Sequence, residues 1–252
     1  MQISVPLFMI KYLVNIGLFL ILPAGLLAQS EGGSNVLSPG QLWNEIAISQ
    51  HTSQKFVTQV DLQWSGSNDV TGGLNIGKYT INYGARVWEH YYLKPNLKLS
   101  AFLGYWVNPN VFEINQRENT EARLALQGQY LFQRNRYSFY NRLRYERRAL
   151  QAVGSSIENR FRYMPKLLIG LNTSNLQAKT VYAILSDEVF MKVNAGNFID
   201  QNRFTAGLGY YFNDYVTLEI AYVNRFVSNQ NASNEFMHAA SISLGISDVF
   251  NY

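Results

Sequence analysis

Along most of this chain apolar and polar residues alternate with a period of two. Phe56, Thr58, Val60, Leu62 and Trp64 interleave with Val57, Gln59, Asp61 and Gln63. Ile81, Tyr83, Ala85 and Val87 interleave with Asn82, Gly84, Arg86 and Trp88. Leu97, Leu99, Ala101, Leu103 and Tyr105 do the same with Lys98, Ser100, Phe102 and Gly104. The rhythm recurs in 121–130, 137–148, 159–171, 180–190, 203–212, 216–225 and 236–246. Successive side chains of a strand point to opposite faces, so this period predicts strands, and no helical period of 3.6 competes with it.

The predicted strands run to roughly 10–14 residues, against a mode of about 5–6 in globular proteins. Short turns are expected at 93–96, 134–136, 172–175 and 213–214, and longer polar loops at 65–77, 108–118, 150–157, 191–201 and 227–235. Long strands joined alternately by short and long connections predict an all-β fold, an antiparallel transmembrane β-barrel with short periplasmic turns and longer outer loops. Only a closed barrel satisfies every backbone group in hydrocarbon without helices. A secreted β-sandwich also alternates, but with shorter strands and no such regularity of loops. Trp43, Trp64, Tyr91, Tyr92, Trp106, Tyr210, Tyr211 and Phe212 fall near strand ends, where interfacial aromatic girdles are expected. Ten strands follow residue 55, and "LWNEIAIS" (42–49) reads as an eleventh. The expected barrel has 10–12 strands, with an even number favoured. Residues 42–49 then lie outside the wall, or the leader adds a twelfth strand, or the leader threads the interior.

Composition agrees with that class. Aromatic residues make up 14% of the 252 residues and charged residues only 15%, where about a quarter is usual for soluble domains. There is no cysteine, which excludes disulfides and thiolate metal sites, and the net charge of +4 is too mild to indicate nucleic acid. Lys11 precedes the apolar run "YLVNIGLFLILPAGLLA", which ends in small residues before Gln29. That is the pattern of a secretory signal peptide over 1–28, followed by a polar, flexible leader over 29–40 and the barrel over 41–252. Export through the periplasm to the outer membrane of a Gram-negative bacterium is the expected location. Outer-membrane lipid and, during insertion, the barrel-assembly machinery are the expected partners; the oligomeric state is left open.

The alternation also sorts the charges. In "NRLRYERR" (141–148), Arg142, Arg144, Glu146 and Arg148 share one face, while Leu143 and Tyr145 share the other and Arg147 falls near the rim. Glu121 and Arg123 stand on the polar face of 121–130, and Arg160, Arg162 and Lys166 on that of 158–170. Arg86, Glu188, Arg203, Glu219 and Arg225 complete the set. An arginine facing lipid at mid-bilayer costs about 2–4 kcal/mol in a barrel, so the polar face is expected to line the lumen, where guanidinium forks can pair with carboxylates. Such a lumen is either a structural filling or a narrow, porin-like passage or cavity for a small anion.

Four segments, "NRLRYERR" (141–148), "ENRFRYMPKLLIGLN" (158–172), "LSDEVFMKV" (185–193) and "DQNRFTAGLGYYFNDYVTLEIAYVNRF" (200–226), carry a resemblance. The chain resembles the uncharacterised outer-membrane β-barrels of Bacteroidota grouped as domain of unknown function 2490. The resemblance implies fold and location but no reaction. The end, "GISDVFNY", is similar to the terminal signal read by the barrel-assembly machinery. Phe250 and Tyr252 lie there on alternate positions with Ile242, Leu244 and Ile246, and Asp248 interrupts the series.

Catalytic and metal chemistry find little support. A serine hydrolase needs a histidine base, and the chain holds three histidines. His51 sits in a turn, and His238 shares the apolar face of Ile242 and Leu244. His90, on the polar face, is the one candidate base of a lipid- or lipopolysaccharide-modifying enzyme. There is no G-x-S-x-G elbow and no metal-ligating histidine spacing, so neither cofactor nor metal is expected. A barrel subunit of an export or adhesion complex is a further alternative.

Overall fold

A computed structural model describes residues 35–37, 40–68, 76–152, 154–193, 199–228 and 234–250. The signal peptide, most of the leader and Tyr252 lie outside the described residues. Among the described residues twelve strands follow one another: β1 Asn35–Leu37, β2 Gln41–His51, β3 Phe56–Ser67, β4 Tyr79–Lys94, β5 Leu97–Asn108 and β6 Asn119–Arg134. After them come β7 Tyr137–Ala152, β8 Gly154–Gly170, β9 Val181–Lys192, β10 Ile199–Tyr211, β11 Val216–Val227 and β12 Asn234–Ser247. The only other regular element among the described residues is one 3-10 turn, Phe112–Ile114.

Each strand from β2 to β12 pairs antiparallel with the next, and β12 then pairs in parallel with β2 from Ala239↔Gln41 to Ser247↔Ser49. The result is a closed wall of eleven strands. β1 extends the same parallel pairing along β12, from Asn35↔Asn234 to Leu37↔Phe236. The expected even number therefore does not hold. Residues 42–49 lie inside the wall, and an odd run of antiparallel neighbours leaves its first and last strands pointing the same way. Such a wall closes only through a parallel pair.

Two connections also differ from expectation. β7 and β8 pair as far as Ala152↔Gly154, so the loop expected at 150–157 is almost entirely strand. Its exposed Gln151, Ser155 and Ser156 are polar on both faces, which in sequence looks like a loop. Conversely, the short turn expected at 172–175 is the longer connection 171–180. It folds against the end of the barrel, with Leu176 packed on Leu168, Tyr182 and Ile184. The Thr180 hydroxyl holds it there, bonding the Thr173 hydroxyl at 2.8 Å and accepting the Gln177 N–H at 3.2 Å.

The two faces of the wall have opposite chemistry. Outward positions carry exposed apolar side chains on nearly every strand: Ile46, Leu62, Val87, Leu126, Leu143, Leu208 and Ile220 among them, with Leu103 at 67%. Tyr91, Tyr130, Tyr137 and Tyr210 stand outward toward the short-turn end, and Trp64, Tyr83 and Tyr105 toward the other. Trp43, Tyr92, Trp106 and Tyr211 depart from the expected girdle, because they sit on the interior parity and fill the barrel. Trp106 packs with Phe102, Trp88 and Ala125. A Cβ at Gly104 would overlap the Trp106 ring, and one at Gly209 would overlap Tyr182, so glycine makes room for each large ring.

β12 ends at Ser247, and Asp248 takes a left-handed backbone with φ 52°. Phe250 therefore lies beyond the strand and is 82% exposed, which breaks the alternate placement expected of the terminal signal.

Candidate functional site: the charged interior

The strand parity aims the sequence-predicted charges into the barrel, and the register decides which of them meet. Glu146, on β7, is fully buried at 0% exposure. It accepts from Arg160 Nη2 at 2.5 Å and Arg162 Nη1 at 2.7 Å on β8, and from Arg144 Nη1 at 3.3 Å on its own strand. Arg123 Nη1 stands 3.6 Å away. Glu188 takes the Arg162 fork on both oxygens, at 2.9 and 2.7 Å, and also an Arg142 Nη2 donor. Glu121 takes the Arg148 fork at 2.8 and 2.7 Å and Arg123 Nε at 2.6 Å. Bidentate pairing of this kind fixes geometry as well as charge.

Lys166 and Glu219 are apart from this cluster. They meet at 3.4 Å near the short-turn end, where the Tyr182 hydroxyl also donates to Glu219 at 3.0 Å. Arg86 lies on the opposite wall and pairs with two carboxylates that sequence reasoning did not single out, Asp61 and Glu45 at 2.9 Å. Trp88 Nε1 and Gln59 Nε2 also donate to Asp61, at 2.8 and 2.6 Å. The signal for Asp61 was present, since it shares the polar parity of Gln59 and Gln63. Glu45 was hidden because β2 had no assured place in the wall. Gln127, on the same polar face as Glu121 and Arg123, joins the network through its Oε1, which takes two Arg144 donors at 2.9 and 2.7 Å.

His90 belongs to a neutral chain. The Ser100 hydroxyl donates to His90 Nδ1 at 2.8 Å, and His90 Nε2–H donates to Gln59 Oε1 at 3.2 Å. The ring is 4% exposed and stacks on Trp88 with centroids 5.3 Å apart. His51 joins Asp248 at the end of the parallel seam, with Nδ1 at 2.8 Å. His238 faces outward against Tyr222, its ring stacked at 5.8 Å. No group of three or more potential metal ligands occurs among the described residues.

Above the ion-pair layer, toward the long-connection end, the interior opens into a cavity of about 480 Å³. Seven arginines line it (Arg86, Arg123, Arg148, Arg160, Arg162, Arg203 and Arg225) against two carboxylates, Glu45 and Glu121. Trp106 of the Trp88–Phe102–Trp106 cluster lines this cavity under Arg123, and Arg144 lies over Trp88, so that cluster packs beside the ion pairs. Toward the short-turn end the Leu168–Tyr182–Ile184 cluster fills the interior together with the Lys166–Glu219 pair. The charged interior is thus a polar cup flanked and underlain by packed aromatic and aliphatic side chains. It can hold an anion by guanidinium donors, while His90 and Ser100 lie outside the side chains that line it.

The sequence pattern of a family described as protein of unknown function, DUF2490, matches residues 40–236. No curated protein and no solved structure matches the chain.

Proposed function

The chain belongs to the DUF2490 family, and we propose that it is an integral outer-membrane β-barrel protein whose Arg/Glu interior is a structural filling beneath a polar cup. One observation carries this reading: apolar side chains are exposed all around the outer wall while the arginines and carboxylates are buried within. Soluble monomers rarely expose a contiguous apolar surface of more than a few hundred Å², whereas a barrel in lipid requires an outward apolar band with aromatic residues at its rims. The two packed interior clusters and the packed connection 171–180 support a filled barrel over an open porin-like pore.

Two measurements test the proposal. The protein should fractionate with outer membranes and migrate faster on gels unheated than boiled, and it should leave planar bilayers without stable conductance steps. Recovery in the cytoplasm would end the membrane reading, and regular anion-selective openings would replace the filled interior with a channel.

A second reading draws on the Ser100–His90–Gln59 chain, which has the order of a nucleophile, a base and an orienting amide. An enzyme acting on membrane lipid would use Ser100 as nucleophile. Labelling of the wild type, but not of Ser100→Ala, by a fluorophosphonate probe would favour it; the filled-barrel reading expects an unlabelled serine.

A further inference from the structure

Three pairs of arginines stand directly opposite one another across adjacent strands: Arg123 and Arg148, Arg144 and Arg162, and Arg203 and Arg225. Like charges in that position destabilise a sheet unless something lies between them. At the first pair it is Glu121, bound by Arg123 Nε at 2.6 Å and Arg148 Nη2 at 2.7 Å. At the second it is Glu146, bound by Arg162 Nη1 at 2.7 Å and Arg144 Nη1 at 3.3 Å. The third pair has no such bridge among the described residues. Glu188 comes only within 3.9 Å of Arg203 and is already taken by Arg142 and Arg162. Arg225 donates to Gln201 Oε1 at 3.1 Å, and Asp200 and Glu235 act on it only through the longer-range field.

Three buried donors are left over at that place: Nε of Arg203, Nε of Arg225 and Nε2 of Gln201. Gln201 is only 5% exposed, and a buried donor without an acceptor is costly. All three residues line the 480 Å³ cavity, with Trp43 stacked 4.8 Å beneath the Arg203 guanidinium.

We propose that Arg203, Arg225 and Gln201 form an oxyanion site, in which the phosphate or carboxylate group of a small polar solute sits between the two guanidiniums. It takes the place that Glu121 and Glu146 hold at the other two pairs. Guanidinium forks match either group in shape and charge. The site rests on the barrel reading above, because it is the closed wall that brings Arg203, Arg225 and Gln201 around one cavity.

The test is calorimetric titration of the refolded full barrel in neutral detergent at low salt, with inorganic phosphate, glucuronate and, as a neutral control, glucose. Both anions should bind saturably and compete, binding should weaken as sodium chloride rises, and glucose should give no heat. Arg225→Gln and Arg203→Gln should each bind about tenfold more weakly or worse, the scale of one lost charge-assisted hydrogen bond. Arg147→Gln, whose side chain is exposed on the outer face, should bind as the wild type does. Because the two arginines repel in the empty site, unliganded Arg225→Gln should melt no lower than the wild type. A barrel that shows heat-modifiable migration yet binds neither anion, or binds them equally after both substitutions, overturns the site and leaves the barrel reading intact. Loss of heat-modifiable migration in the wild type strikes the barrel reading instead.

Discussion

Glu146 shows how single residues hold the interior together. Its carboxylate is shared by Arg144, Arg160 and Arg162, and none of the four side chains is exposed enough for water to replace it. Removing one member of a buried ionic cluster leaves uncompensated charge, at a cost of about 3–5 kcal/mol. Glu146→Gln should therefore unfold at markedly lower urea, by a loss of that order, whereas Glu146→Asp should recover part of it. Asp187 is the converse case. It lies on the outward parity, between Leu185 and Val189, buried, with Asn202 donating to it at 2.7 Å and the Glu188 backbone N–H also bonded to it, and its Oδ2 has no partner among the described residues. A buried carboxylate with one oxygen unpaired is a net cost, so Asp187→Asn should stabilise the barrel by roughly 1 kcal/mol in the same urea titration. A loss of stability there would mean that the carboxylate has an essential partner.

At the scale of elements, the parallel seam between β2 and β12 is the unusual joint, since parallel pairing is slightly weaker per residue. Its end is clasped by Asp248. The backbone N–H of Asp248 donates to Ser49 O at 2.8 Å, and its carboxylate accepts the His51 backbone N–H at 3.0 Å. That N–H and the His51 ring hold the Asp248 carboxyl below the usual aspartate range. A depressed folded-state value means the clasp contributes stability above about pH 4 and loses it as pH falls through the lowered value. Asp248→Ala should thus melt below the wild type at pH 7 and alongside it at pH 2–3; a gap that persists in acid would contradict the clasp.

The same elements show what the sequence made legible. Period-two charge on β6 to β8 was readable because a strand exposes its two faces separately, and so the parity of Arg142, Arg144 and Glu146 was plain. The seam was not readable, because nothing local in 42–49 says which strand it will meet on closure. Nor was the β7–β8 hairpin tip, where serine and glutamine on both faces erase the alternation. The packing of 171–180 was not readable either, because it depends on Leu176 meeting Leu168 and Tyr182 across the β8–β9 hairpin, which the polar residues around it conceal.

For the whole molecule, one wall separates an outward apolar face from a packed, charged interior with a cup at one end. Each feature follows from the same sorting: arginines that would be costly in hydrocarbon are turned inward, where carboxylates meet most of them and Arg203 and Arg225 face the cup. The chain has no native cysteine, so single cysteines can be placed in turn along 217–223 of β11 and spin-labelled in proteoliposomes. The account predicts a period of two in oxygen accessibility, high at Leu218, Ile220 and Tyr222 and low at Thr217, Glu219, Ala221 and Val223. Labels at Ile220 and Tyr222 that meet water-soluble quenchers as freely as a label in a polar loop would contradict it.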